Sequence, residues 1–171
     1  IAKGTQGFEL GDRVMGSLRS GAFASEVVAP AYDLYPVPNG MSASVATALP
    51  TLYGTTLAAL RYRGRIQPGD VLLVHGAAGG VGLAAVDLGR ALGARVIAVA
   101  GSDAKLDACR EYGAWATINH RREDVRARVL GLTEGHGAEG VLDGEDELEL
   151  AAEHPGDALE ELGLGLVELG G

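Results

Sequence analysis

The chain has 171 residues, 47% hydrophobic and 22% charged, with 27 glycines and 5% aromatics; it is long enough for one ordinary domain, and this composition excludes a disordered or collagen-like chain. A formal net charge of −9 argues against a nucleic-acid partner. The single cysteine, Cys109, excludes an internal disulfide and a cysteine-cluster zinc site, and no apolar run approaches the ~20 residues that span a bilayer.

The charge is unevenly placed. Residues 1–128 hold all 14 Lys and Arg and 11 of the 23 acids; residues 129–171 hold the other 12 acids and no Lys or Arg. The first part can attract an anionic ligand, and the second would repel one. Ile1 to Gly7 reads as neither a signal nor a transit peptide, so the expectation is a cytoplasmic protein of a reducing compartment.

In chain order, Gly11-Asp12-Arg13 reads as a turn feeding a strand at Val14-Met15-Gly16. Gly21–Val28 and Ala31–Val37 are further apolar segments, punctuated by Pro30, Pro36 and Pro38. Together they read as the end of a small β domain. Ser42 is placed to cap a short helix running through Leu49, and a second helix is expected from about Thr51 to Tyr62. Pro68-Gly69-Asp70 marks a tight turn. Val71–His75 is a short apolar run of the kind buried on both faces of a parallel sheet.

Val81, Ala84, Ala85, Leu88 and Leu92 share one helical face, and Gly93 closes that helix. Arg95–Ala100 reads as the next strand. Ser102–Tyr112 reads as a helix, with Ser102 or Asp103 as its cap and Gly113 as its stop. Ala116–Ile118 reads as a third strand, Arg122–Leu132 as a third helix and Gly140–Leu142 as a fourth strand. This alternation predicts a parallel sheet covered by helices. Beyond Gly144 only a short helix, Asp157–Leu162, is expected, and the acidic run Glu145–Glu149 reads as a solvated face.

The stretch that carries chemistry is Val71–Gly82, VLLVHGAAGGVG: a buried strand, a glycine-rich loop and the start of a helix. A pyrophosphate must come within hydrogen-bonding distance of main-chain amides, where a β-carbon would obstruct it. The helix start adds unpaired N–H groups and the positive end of its dipole. Gly79 and Gly82 supply the later glycines of a dinucleotide fingerprint, with Ala77 where the first would stand. A close-packed strand–helix turn without ligand is the competing reading. NAD-selective sites place an acid at the end of the second strand; here that place is Ala100-Gly101, and Asp103 further on is read as a helix cap. Ser102, Lys105, His120 and Arg121 together suit a 2′-phosphate, so NADPH is expected over NADH; plain surface solvation is the competing reading for Lys105 and Arg121.

GDRVMG, GAFASEVVAPAYDLYPVPNGMS, ALPTLYGTTLAAL, the long segment from IQPGDVLLVHGAAGGVG to REYGA, and INHRRED follow the order and spacing of the medium-chain dehydrogenase/reductase superfamily. Over residues 11–143 the chain most resembles its zinc-independent, ζ-crystallin-like quinone oxidoreductases. The resemblance implies a Rossmann-type α/β domain over residues 41–143, preceded by the remnant of a GroES-like β domain over residues 1–40 and followed by an acidic segment over residues 144–171. It implies that Gly80 and Val81 line the pyrophosphate, that Gly101 and Lys105 meet the adenosine ribose phosphate, and that His120 stands where the family often has tyrosine. Thr55 falls at the family threonine near the nicotinamide, beside Tyr53 and Gly54. A homodimer is implied as well.

The departures are specific. The family's upstream substrate-domain residues do not precede Gly11, and Asp143-Gly144-Glu145-Asp146-Glu147 replaces the family's D-x-V-G-G. Pro50–Tyr53, where zinc-dependent relatives carry a catalytic cysteine, holds no Cys or His, so no metal is expected there. His75 reads as a core or loop histidine, His136 and His154 as surface residues, and Cys109 as core. The expected activity is hydride transfer from NADPH to a small-molecule quinone or α,β-unsaturated carbonyl. An enoyl-reductase domain of a polyketide or fatty-acid synthase, and a non-catalytic NADPH-binding module, are the alternatives.

Overall fold

The computed structural model describes residues 7–144 and the backbone of residues 150–151. It divides into two compact units between Gly54 and Thr55. The expected helix at Asp157–Leu162, the acidic run Glu145–Glu149 and His154 lie outside the described residues.

In the first unit, β1 (Val14–Gly16) pairs antiparallel with β2 (Leu34–Pro36), Met15 standing opposite Tyr35. The apolar segment Gly21–Val28 forms no strand, and Phe23 and Val28 are exposed. Two strands of three residues have too little sheet face to cover such side chains, and only Ala46 is buried among this unit's described residues. Ser42 caps α1 (Ala43–Ala48) as expected, its Oγ accepting from Val45 N at 3.3 Å. The expected gap before a second helix is absent. A π-helical turn, Leu49–Tyr53, joins α1 directly to α2 (Gly54–Ala58), and a second such turn, Ala59–Arg63, follows. Pro50 lies in the first turn of the widened segment, where a residue without an N–H is tolerated.

The second unit carries the parallel sheet. β3 (Val71–His75), α3 (Gly80–Ala91), β4 (Arg95–Ala100), α4 (Asp103–Glu111), β5 (Ala116–Asn119), α5 (Val125–Leu132) and β6 (Gly140–Asp143) follow one another. The strand order is β5-β4-β3-β6, all parallel. β7 (Leu150–Ala151), which the sequence does not announce, adds antiparallel to β6. Alternate residues of each strand enter two separate cores. Leu72, Val74, Val96, Ala98 and Leu142 pack with Ala85 and Val86 of α3 and Cys109 of α4. Val71, Leu73, Ile97, Val99, Ile118 and Val141 pack with Val129 of α5. Both faces are therefore covered, which is why these strands read as continuous apolar runs rather than alternating ones. This is the expected Rossmann-type architecture. Among the described residues no helix is long and apolar enough to cross a membrane.

Glycine ends α3 as expected. Gly93 has φ +87°, its N–H donates to Arg90 O at 3.0 Å, and Ala94 N donates to Gly89 O at 3.0 Å. This paired arrangement satisfies carbonyls that the helix leaves open. The helix begins against the strand end with no clearance. A β-carbon on Gly82 would collide with the carbonyl oxygen of Gly76 and lie 2.6 Å from Ala77 Cα. Both obstacles are main chain and cannot rotate away.

Two outcomes follow from this packing. Gly82→Ala should destabilise the chain by at least the ~1–3 kcal/mol typical of overpacking, read as a lower denaturant midpoint; an unchanged midpoint would contradict the close approach. Cys109 is fully buried, and burial pushes its thiol above the ordinary cysteine range. A thiol reagent such as DTNB should therefore label it only on the timescale of unfolding, and labelling at the rate of an exposed thiol would contradict its place in the core.

Candidate functional site

β3 has β4 on one side and β6 on the other, so chain connections leave the sheet in opposite directions at its carboxyl end. Such a switch point opens a crevice in any sheet of this kind. Here the crevice measures about 300 Å³ and is lined by His75 at the end of β3 and Gly76, Ala78 and Gly79 after it, by Val99 and Ala100 at the end of β4 and Gly101 and Lys105 beyond it, by His120 after β5, and by Asp143 at the end of β6.

The loop from Gly76 to Gly79 presents main chain to this space. Gly76 has φ +56°, and Gly79 N donates back to Gly76 O at 2.9 Å. Leu83 N is the first amide satisfied inside α3, by Gly79 O at 2.8 Å. The amides of Gly80, Val81 and Gly82 precede it, and no side chain caps them. Gly79 and Gly80 are exposed, while Val81 is half-buried against the core.

The opposite wall is cationic. A β-carbon on Gly101 would lie 2.9 Å from His120 Nε2 and 3.1 Å from Arg121 Nε, so both side chains close over bare backbone. Lys105, His120 and Arg121 make no side-chain hydrogen bond or ion pair with any described residue. Asp143 is the only acid among the described lining residues and stands opposite His75 in the β3–β6 register.

The expected site residues are thus partly gathered. Gly79, Gly101, Lys105 and His120 line the crevice, Arg121 reaches Gly101, and Gly80 and Val81 open the adjoining helix. Ser102 occupies the cap position of α4 without a side-chain cap bond and does not line the crevice. Thr55, exposed in α2, does not line it either; Tyr53 belongs to the first unit.

Asp103 is not the cap it reads as in sequence. Its Oδ1 accepts from Asn119 Nδ2 at 2.8 Å and its Oδ2 from Arg122 Nη1 at 2.7 Å. Asn119 goes unnoticed in the sequence; the signal is an amide closing a strand that is otherwise Ala-Thr-Ile. His75 and Asp143 are also crevice residues that sequence patterning did not select.

The hydrogen bond from Asn119, and then the nearby Arg122 guanidinium, hold the Asp103 carboxyl below the ordinary aspartate range. A lowered carboxyl adds stability that is fully present above the unfolded-state value, about pH 4, and is lost as pH falls through the native one. Asp103→Asn should therefore unfold at acid pH with a shallower pH dependence below about pH 4, measured by circular dichroism. Superimposable acid transitions would contradict the pairing.

The crevice can accept an elongated anion, with amides at one end and basic side chains at the other. No three His, Cys, Asp or Glu side chains gather as metal ligands among the described residues, and Pro50–Tyr53 offers neither Cys nor His, so these residues supply no zinc donor set.

Residues 80–145 match the family model for zinc-binding dehydrogenases. The quinone oxidoreductase-like protein 2 homolog of Nematostella vectensis is 41% identical over 135 residues, covering 78% of this chain and 37% of that protein. A component of the phenolphthiocerol/phthiocerol polyketide synthase of Mycobacterium tuberculosis is 34% identical over 142 residues, covering 83% of this chain and 6% of that protein. Among solved structures, the quinone oxidoreductase of Thermus thermophilus, solved also in complex with NADPH, superposes with a TM-score of 0.72 at 31% identity, over 87% of this chain and 45% of that one. The chain thus spans less than half the length of each of these relatives. Motif order, strand order and these likenesses agree: the chain belongs to the medium-chain dehydrogenase/reductase superfamily, among its quinone oxidoreductase-like members.

Proposed function

We propose that the crevice binds NADPH and that the whole protein transfers a hydride, without zinc, to a quinone or an α,β-unsaturated carbonyl. The observation that carries this reading is the set of three basic side chains, Lys105, His120 and Arg121, left without partners among the described residues around Gly101. In a chain of net charge −9, basic groups near one another would ordinarily be neutralised by acids. All three are exposed, and grouped basic side chains of this kind favour an anion placed among them. The 2′-phosphate of the adenosine ribose fits that place. The amides of Gly80 and Val81 and the loop at Gly79 would receive the pyrophosphate.

The bound nicotinamide supplies the hydride. The chain's own work is to hold the dinucleotide in one orientation and to keep water from the reacting end. Thr55 and Tyr53 are the hydroxyls proposed for the nicotinamide end, on the family pattern. A GroES-like remnant over residues 1–40, a cofactor domain over 41–143, homodimerisation and a cytoplasmic location belong to the same proposal.

A second reading, the enoyl-reductase domain of a synthase, is favoured by one finding: the likeness to a polyketide synthase over 83% of this chain. Both readings use the same cofactor crevice. They differ in whether the acceptor is free or carried.

Lys105→Ala should weaken NADPH by one charge-assisted contact, about 1.5–3 kcal/mol, and leave NADH nearly unaffected, as measured by fluorescence titration. Equal losses for the two cofactors would remove the 2′-phosphate from this wall. In the same samples, NADPH oxidation by a simple quinone supports the enzyme, and binding without oxidation supports a non-catalytic module.

A further inference from the structure

We propose that the Asn119–Asp103 hydrogen bond is a specificity-determining brace: it fixes the His120–Arg121 turn over Gly101 and withdraws the Asp103 carboxylate from the ribose, so that the crevice prefers a phosphorylated ribose to a free 2′-hydroxyl. This rests on the NADPH reading above and concerns what sets its selectivity.

Asn119 is 5% exposed, and its polar groups converge on one turn. Its Nδ2 donates to Asp103 at 2.8 Å, and its Oδ1 accepts from Arg121 N at 3.2 Å. Its own N donates to Glu123 Oε1 at 3.0 Å, and its carbonyl accepts from Arg122 N and Glu123 N, each at 2.9 Å. One buried residue therefore sets the path of residues 120–123. His120 N reaches across to Ala100 O at 3.3 Å. Asp103 is the first residue of α4, two positions after Gly101, so the side-chain bond ties the loop after β4 to the loop after β5. Those two segments together form the cationic wall, Gly101 and Lys105 coming from one and His120 and Arg121 from the other.

The carboxylate matters for a second reason. An acid just after the second strand of a Rossmann-type sheet is placed to accept from a ribose hydroxyl. Here both oxygens of Asp103 are engaged, one by Asn119 and one by Arg122. Of the two bonds, the ion pair with Arg122 is the weaker constraint. Its side chains are 71% and 60% exposed, and water screens such pairs. The Asn119 amide, held in the sheet, is the part that can position.

The test uses the full chain, with NADPH and NADH titrated separately and thermal unfolding recorded for each variant. Asp103→Ala should lower NADPH affinity roughly tenfold or more, as misplacement of an oriented group does, with NADH changed by less than about twofold and the fold retained. Asp103→Asn keeps an acceptor for Asn119 Nδ2 and should restore the preference. Arg122→Ala should leave the preference within about twofold of the parent and keeps the proposal testable if Asp103→Ala does not fold. Parallel losses for both cofactors in Asp103→Ala, failure of Asp103→Asn to restore the preference, or a loss in Arg122→Ala as large as in Asp103→Ala would each overturn the brace while leaving the NADPH crevice standing. A parent chain that binds neither cofactor would overturn both.

Discussion

The contact on which the rest of the second unit depends is main chain against main chain, where α3 leaves β3. Gly82 lies so close to Gly76 and Ala77 that no β-carbon fits between them. That closeness lets Ala85 and Val86 of α3 reach Leu72 and Val74 on the sheet, and it brings the uncapped amides at the start of α3 to the end of β3. A larger residue at 82 would push the helix outward, and the core and the placement of the uncapped amides would be lost together. Packing and the proposed cofactor site therefore share one steric constraint. A glycine needed for close approach is hard to separate from one needed for a ligand.

A second constraint is electrostatic and acts at the other end of the crevice. Most ion pairs among the described residues are exposed and short-range in sequence, such as Arg90 with Asp87, and such pairs contribute little. Asp103 and Arg122 are different in topology, joining residues 19 positions apart, although they too are exposed. Their engagement leaves Lys105, His120 and Arg121 as the basic groups near Gly101 without a partner among the described residues. The positive character of that wall thus comes from which acid is already occupied as well as from the number of basic residues.

Much of the second unit was legible in the sequence. Val71–His75 and Arg95–Ala100 coincide with β3 and β4, and the stop at Gly93 appears with its hydrogen-bond pair. Strands covered on both faces announce themselves as unbroken apolar runs, and helix ends depend on local backbone chemistry, so both signals survive without tertiary information. The first unit read less well. Gly21–Val28 has the composition of a strand but no partner strand among the described residues, and apolar composition alone does not form a ladder. The helix break expected near Pro50 also failed, because a widened turn accommodates a residue that lacks an N–H.

By itself the sequence determined the alternation of strands and helices, the glycine loop at residues 76–82 and the concentration of basic residues before position 129. These follow from local periodicity, backbone freedom and composition. The tertiary structure alone decided that β6 lies beside β3 and opposite β4, which opens the crevice and brings His75 and Asp143 to it. It also decided that Asp103 pairs with Asn119 rather than capping its own helix. Both are contacts between residues far apart in the chain, and strand pairing order and long-range side-chain bonds leave no periodic trace in sequence.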